Sequence, residues 1–232
     1  MTSAITVVAL AIVAVVVMWI IRLAKEYQER QKRTFRQFGF QALRTVTPEL
    51  EEKLSITGAA RKGPAKLRNV YLHAGGDYDL YRYNVIKNQR DNSIQYAMVL
   101  RNRTLPPFAL MPNLKLPGFL NNMVAKLLEH VVAGTGMSEV TPRGCPGFRE
   151  KYRLYAADPR QIERSVSAST WESLAALPAT MMLQAHGDVI TFQEFPYGKA
   201  RKRAKLADQL RAITDHADQI HACLRETQAV RA

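Results

Sequence analysis

The sequence predicts an α+β protein: one N-terminal transmembrane helix followed by a single soluble domain. Three observations carry this. Ala4 to Ile21 is an apolar run in which Thr6 is the only polar side chain. Short tyrosine- and aliphatic-rich runs separated by turn residues follow from Leu67 to Met111. From Lys151 onward, strand-like and helix-like patterns alternate as β-α-β-β-α. With a β-meander and one helix before that series, the order is that of an α+β domain. A chain of 232 residues with 47% hydrophobic content supports a sizeable core and excludes collagen-like and fully disordered classes. Two cysteines exclude a disulfide scaffold.

The apolar run (4–21) extends about 27 Å as a helix, close to the thickness of a bilayer's hydrocarbon core. In lipid the backbone must satisfy its own hydrogen bonds, so even a valine-rich stretch is helical there. Trp19 lies near the inner end, where an indole favours the interface. A cleaved signal peptide fits poorly, because Met1 to Ser3 carry no basic side chain and no A-x-A site precedes a mature start. A retained signal-anchor is expected. Residues 1–3 precede it without a cation, and Arg22, Lys25, Arg30, Lys32, Arg33 and Arg36 follow it against Glu26 and Glu29. That asymmetry places 1–3 outside and the C-terminal domain in the cytoplasm, across the cell inner membrane as a single pass. Free thiols at Cys145 and Cys223 agree with that compartment.

Residues 22–66 read as a basic juxtamembrane stalk and linker. Arg22 to Phe38 continues as a polar helix ending near Gly39, and its apolar positions keep no heptad. Thr47-Pro48-Glu49 supplies an N-cap, an N1 proline and an acidic first turn for a short helix to Leu54. The cytoplasmic α+β domain is expected over 67–226, with 227–232 as a tail. Its first strands are Asn69–His73, Asp79–Ile86 and Ile94–Arg101. In the second, Tyr81, Tyr83 and Val85 share one face and Arg82 and Asn84 the other, the pattern of a half-buried strand. Leu105 to Pro112 is extended, and its prolines confine it to an edge or a strand end. Gly118 to Val132 suits a helix. After a strand at Lys151–Ala156, Asp158-Pro159-Arg160-Gln161 supplies most of a capping box for a helix to about Ala176, burying Ile162, Val166 and Leu174. Met181–Ala185 and Val189–Phe195 flank the tight-turn signal His186-Gly187-Asp188. The last helix, Lys199 to Glu226, carries an inward stripe of Leu206, Leu210, Ile213, Ala217, Ile220 and Leu224.

Leu105-Pro106-Pro107-Phe108-Ala109-Leu110, Pro146-Gly147-Phe148 leading into Lys151-Tyr152-Arg153-Leu154-Tyr155, the Gly187-Asp188 hairpin and the final amphipathic helix are similar to uncharacterised bacterial single-span membrane proteins. Those carry a cytoplasmic α+β domain of unknown function. The resemblance covers about residues 67–226 and implies no activity and no site residue.

Searching for chemistry yields little. Gly75-Gly76 and Gly134-Thr135-Gly136 form no dinucleotide or Walker motif, and a helix C-cap or turn explains them. His216 and His221 stand five apart, about 140° around a helix, so they diverge rather than converge on a metal. Cys145 follows Arg143, which would lower its pKa if close, yet no motif brings it a base. No catalytic, cofactor-binding or metal residue is assigned, and no cofactor is expected.

Charge is more informative. Lys199, Arg201, Lys202, Arg203 and Lys205 cluster at the start of the last helix, where cations oppose the macrodipole unless an acidic surface lies nearby. A weaker cluster is Arg61, Lys62, Lys66 and Arg68. With Arg22, Lys25, Lys32 and Arg33, the first cluster gives the candidate contacts to anionic headgroups. A solvated basic face is the plain alternative. Nucleic acid is the least favoured partner, because stacking aromatics do not accompany the basic runs. The expected function is a membrane-anchored binding or scaffolding module with a protein partner in the membrane or cytoplasm. The alternatives are a membrane-surface enzyme with a site assembled from distant residues, and a basic module for anionic lipid or nucleic acid.

Overall fold

The computed structural model describes residues 2–55, 66–88, 91–113, 136–194 and 205–229, with side chains over 13–55, 66–86, 93–113, 136–193 and 205–225. Among these, nine strands form one antiparallel sheet in the order β1-β2-β3-β4-β9-β8-β5-β7-β6. The strands are β1 Gln41–Ala42, β2 Lys66–Ala74, β3 Tyr78–Asn88, β4 Asp91–Leu100, β5 Leu105–Pro112, β6 Ser138–Val140, β7 Tyr152–Ala156, β8 Met181–Gly187 and β9 Val189–Glu194. The helices are α1 Thr2–Gln37, α2 Pro48–Ser55, α3 Phe148–Lys151, α4 Pro159–Ser165, α5 Ala168–Ala175 and α6 Leu206–Ala229. The expected α+β class holds. The helix expected over Gly118–Val132 lies outside the described residues.

One face of the sheet carries the main core. Phe108, Leu110, Leu154, Leu183, Phe192, Met98 and Leu80 pack there against Phe148, Ile162, Trp171, Leu174 and the α6 stripe. Alternation along each strand sends the intervening residues to the reverse face. There Tyr81, Tyr83, Val85 and Ala97 pack with Leu54 of α2, and the Tyr83 hydroxyl donates to the Leu54 carbonyl at 3.1 Å.

α1 is a single helix of 36 residues, in which the polar segment continues the apolar run as expected. Several other expectations change. Residues 35–55, expected as stalk and linker, are drawn into the body. Phe35 and Phe40 belong to the main core, β1 pairs with β2, and α2 covers the reverse face. β3 is not half-buried. Arg82 lies against Phe35 at the end of α1 and Asn84 is buried, so both faces of the strand are covered. β5 is interior, between β8 and β7. Its prolines are accommodated because Pro106-Pro107 fall where the register with β8 shifts, and Pro112 ends the strand, so no ladder N–H is missing there. The helix expected from Pro159 to Ala176 is two. Asp158 caps α4 by accepting from the backbone N–H of Arg160 and Gln161, Val166 turns extended, and Ser167 caps α5 through Thr170. The last helix is described from Leu206, with Lys205 just before it, and the start expected at Lys199 lies outside the described residues.

Among the residues with described side chains, no helix is long and apolar enough to cross a membrane. Val13 to Ile21, the part of the apolar run so described, is too short for that. The transmembrane assignment of 4–21 is therefore not carried by the structure.

Candidate functional site

The junction between α1 and the sheet is the most distinctive feature. From Val13 to Arg30 every side chain of α1 is exposed, with Val13 at 58%, Trp19 at 61% and Tyr27 at 64%. Contact with the body begins at the last turns. Phe35 stacks on Tyr71 of β2 at 3.9 Å between ring centroids and meets Phe40 edge-on at 6.1 Å. The Arg82 guanidinium lies over both rings, 5.3 Å from Phe35 and 5.7 Å from Tyr71, and donates to Asn84 Oδ1 at 3.0 Å. Burial pulls the Arg82 pKa down from its ordinary value, while nearby Tyr96 and Tyr71 act against that shift. Phe38 packs beneath Arg211 of α6, with the guanidinium 6.0 Å from the ring. Gly39, at φ +76°, then reverses the chain so that β1 can pair with β2.

Of the expected headgroup contacts, Arg22, Lys25, Lys32 and Arg33 are exposed along the rod. Arg22 pairs with Glu26 at 3.2 Å, and Lys32 with Glu29 at 2.7 Å. Lys205 is exposed just before α6, while Lys199, Arg201, Lys202 and Arg203 lie outside the described residues. Among the described residues, the ion pairs of these rod cations are local pairs along the helix.

The densest polar group lies at the opposite end of α6. Tyr78 donates its hydroxyl to Asp218 Oδ1 at 2.5 Å. His221 tilts against the Tyr78 ring at 5.1 Å, and His221 and Arg225 each approach Asp77 at 3.9 Å. Arg103 reaches the Leu224 carbonyl. Burial, reinforced by Asp218, pushes the Tyr78 phenol far up, so it stays neutral and donating. The group fastens α6 to the β2–β3 turn and the loop after β4. His216 Nδ1 is buried with no hydrogen-bond partner among the described residues. Among the described residues no group of three or more histidines, cysteines and carboxylates could hold a metal ion.

Cys145 is buried, and its thiol donates to the Ala168 carbonyl at 3.2 Å. Burial, aided by Glu172, raises the thiol pKa. Arg143, expected to lower it, instead points into solvent toward Glu163 at 3.8 Å. That chemistry makes a structural cysteine. An open cleft of about 420 Å³ lies beside Thr104, Leu105, Pro106, Gln161, Ser165 and His186. Among the described residues its lining holds the His186 imidazole and no carboxylate.

Sequence reading missed the Phe35–Tyr71–Arg82 junction, because these residues meet only through pairing of β2 with β3. The aromatic pair Phe35 and Phe38 in an otherwise polar segment was the available signal. Comparison with protein families, with curated proteins and with solved structures finds no match.

Proposed function

We propose that this chain is a single-pass membrane protein: residues 4–21 anchor it, the N-terminus lies outside, and the α+β body is a cytoplasmic binding or scaffolding module. The observation that supports this most is the exposure of α1. Val13, Val15, Val16, Val17, Met18, Trp19, Ile20 and Ile21 are all exposed, so the body gives this apolar surface no cover. A contiguous apolar surface of that kind calls for an apolar environment, and around a helix exposed on every side a bilayer supplies it. The basic side chains that follow supply the orientation. A scaffolding role fits a body whose polar groups brace helices against strands.

Carbonate washing of membranes from cells making the full chain tests the anchor. The chain should stay in the membrane pellet, whereas Val13→Arg/Val16→Arg, costing about 2.5–3.5 kcal/mol per charge at the centre of a span, should move most of it to the supernatant. Release of the unsubstituted chain would overturn the anchor. Crosslinking in native membranes tests the scaffold: a reproducible protein adduct supports it, and recovery of the uncrosslinked monomer alone counts against it.

A further inference from the structure

Lys66 and Arg68 lie far from α1 in sequence, yet the fold places them beside its docked end. Leu67 faces the reverse core, so Lys66 and Arg68 face the side on which α1 lies, and both are exposed. Their register partners are Ile86 and Asn84. Between Arg68 and Tyr71 the register slips by one residue at Asn69, whose φ is +50°. This bulge keeps Arg68, Tyr71 and Arg82 on one face. Phe35 sits over Tyr71 and Arg82, and Gly39 lies against His73, the partner of Leu80. The end of α1 therefore advances from the level of Arg82 toward that of Leu80, and the rod behind it leaves toward Asn84 and Ile86.

α6 lies on the same face and follows the same axis. Asp218 is at Tyr78, and Arg211 meets Phe38 farther along. Lys205, thirteen residues before Asp218, is about 20 Å back along the helix. Asn84, six residues beyond Tyr78, is about 20 Å along the strand. Lys205, Arg68 and Lys66 thus share one end of the body, the end from which α1 departs. Asp208 is the acidic residue in the first turn of α6.

We infer that this end is a membrane-facing surface, with Lys66, Arg68 and Lys205 receiving the headgroups of an anionic leaflet. The inference rests on the anchor proposed above and adds how the body sits on the bilayer. Phe35 follows Ile21 by fourteen residues, about 21 Å of helix. Asn84 and Ile86 lie about 7 and 13 Å closer to the bilayer than Arg82. The basic side chains then reach to within about 8–14 Å of the hydrocarbon edge. The headgroup layer fills about 5–7 Å of that distance. The remaining gap is within a Debye length of about 8–10 Å, where a cation still feels an anionic leaflet. Arg22 and Lys32 are paired locally with Glu26 and Glu29, so Lys66, Arg68 and Lys205 add to the positive charge that the rest of the rod presents to the lipid.

Lysine acetylation by a water-soluble active ester, read by mass spectrometry on the full chain in vesicles, tests this. From phosphatidylcholine vesicles to 7:3 phosphatidylcholine:phosphatidylglycerol vesicles, acetylation of Lys66 and Lys205 should slow at least threefold. Lys151, which donates to the Ala175 carbonyl on the far side of the sheet order, should not change. The protection should fade in 0.5 M NaCl and weaken in Arg68→Glu. Equal rates in the two vesicles would overturn the surface while leaving the anchor standing. Failure of the chain to float with either vesicle would overturn the anchor itself. Protection by a single-stranded oligonucleotide but not by phosphatidylglycerol would reassign the surface to nucleic acid.

Discussion

His221 shows how a residue's surroundings outweigh its type. Burial lowers its pKa from the ordinary imidazole value; Asp77 and Asp218 oppose the shift, and Arg225 and Arg103 add to it. The folded state thus prefers the neutral ring, and the unfolded chain binds the proton more readily. Stability contributed by His221 is complete above the unfolded value of about 6.5 and falls as pH drops below it. Chemical denaturation between pH 7.5 and 5 should show this decline, and His221→Gln should flatten it; an unchanged slope would remove His221 from the explanation. The sequence showed only that His221 and His216 diverge around the last helix. It could not supply Asp77 or Tyr78, which meet the ring only because the β2–β3 turn folds against α6.

At the scale of elements, local signals did well where they were self-contained. The Asp158 cap, the Gly187-Asp188 hairpin with Gly187 at φ +62°, and the α6 stripe are all where local chemistry puts them. The misses came from neighbours. A single helix from Pro159 to Ala176 has an unbroken apolar pattern, but the Ser167 cap and an extended Val166 divide it. β5 is interior because a register shift absorbs its prolines. The reversal at Gly39 is the joint between rod and sheet. A Cβ there would sit 2.9 Å from His73 Cδ2, on a backbone at φ +76°. Gly39→Ala should destabilise the chain by about 1–2 kcal/mol from the left-handed backbone alone. Gly39→Ala/His73→Ala should relieve the contact and keep that backbone cost. An unchanged denaturation midpoint in Gly39→Ala would show that the joint is not constrained.

For the whole molecule, the question is where the body begins. Tyr27 is exposed on the rod, whereas Phe35 is 2% exposed and stacked on Tyr71. In detergent micelles, Phe35→Ala should cost about 3–5 kcal/mol of body stability, and Tyr27→Ala should stay within about 0.5 kcal/mol. Equal effects would mean that the rod and the body do not divide there. The sequence by itself determined the α+β class, the apolar run followed by cations, and most elements, because hydrophobic period, caps and turn residues are local properties of the chain. The tertiary structure decided that Phe35 and Phe40 belong to the core and that Arg82 lies beneath aromatic rings. It also set Lys66 and Arg68 on the face of β2 that carries Tyr71, under Phe35. Those facts depend on strand register and on a one-residue bulge at Asn69, which set side-chain facing across residues far apart in sequence. A pattern read along the chain records spacing, and only pairing between strands converts that spacing into a surface.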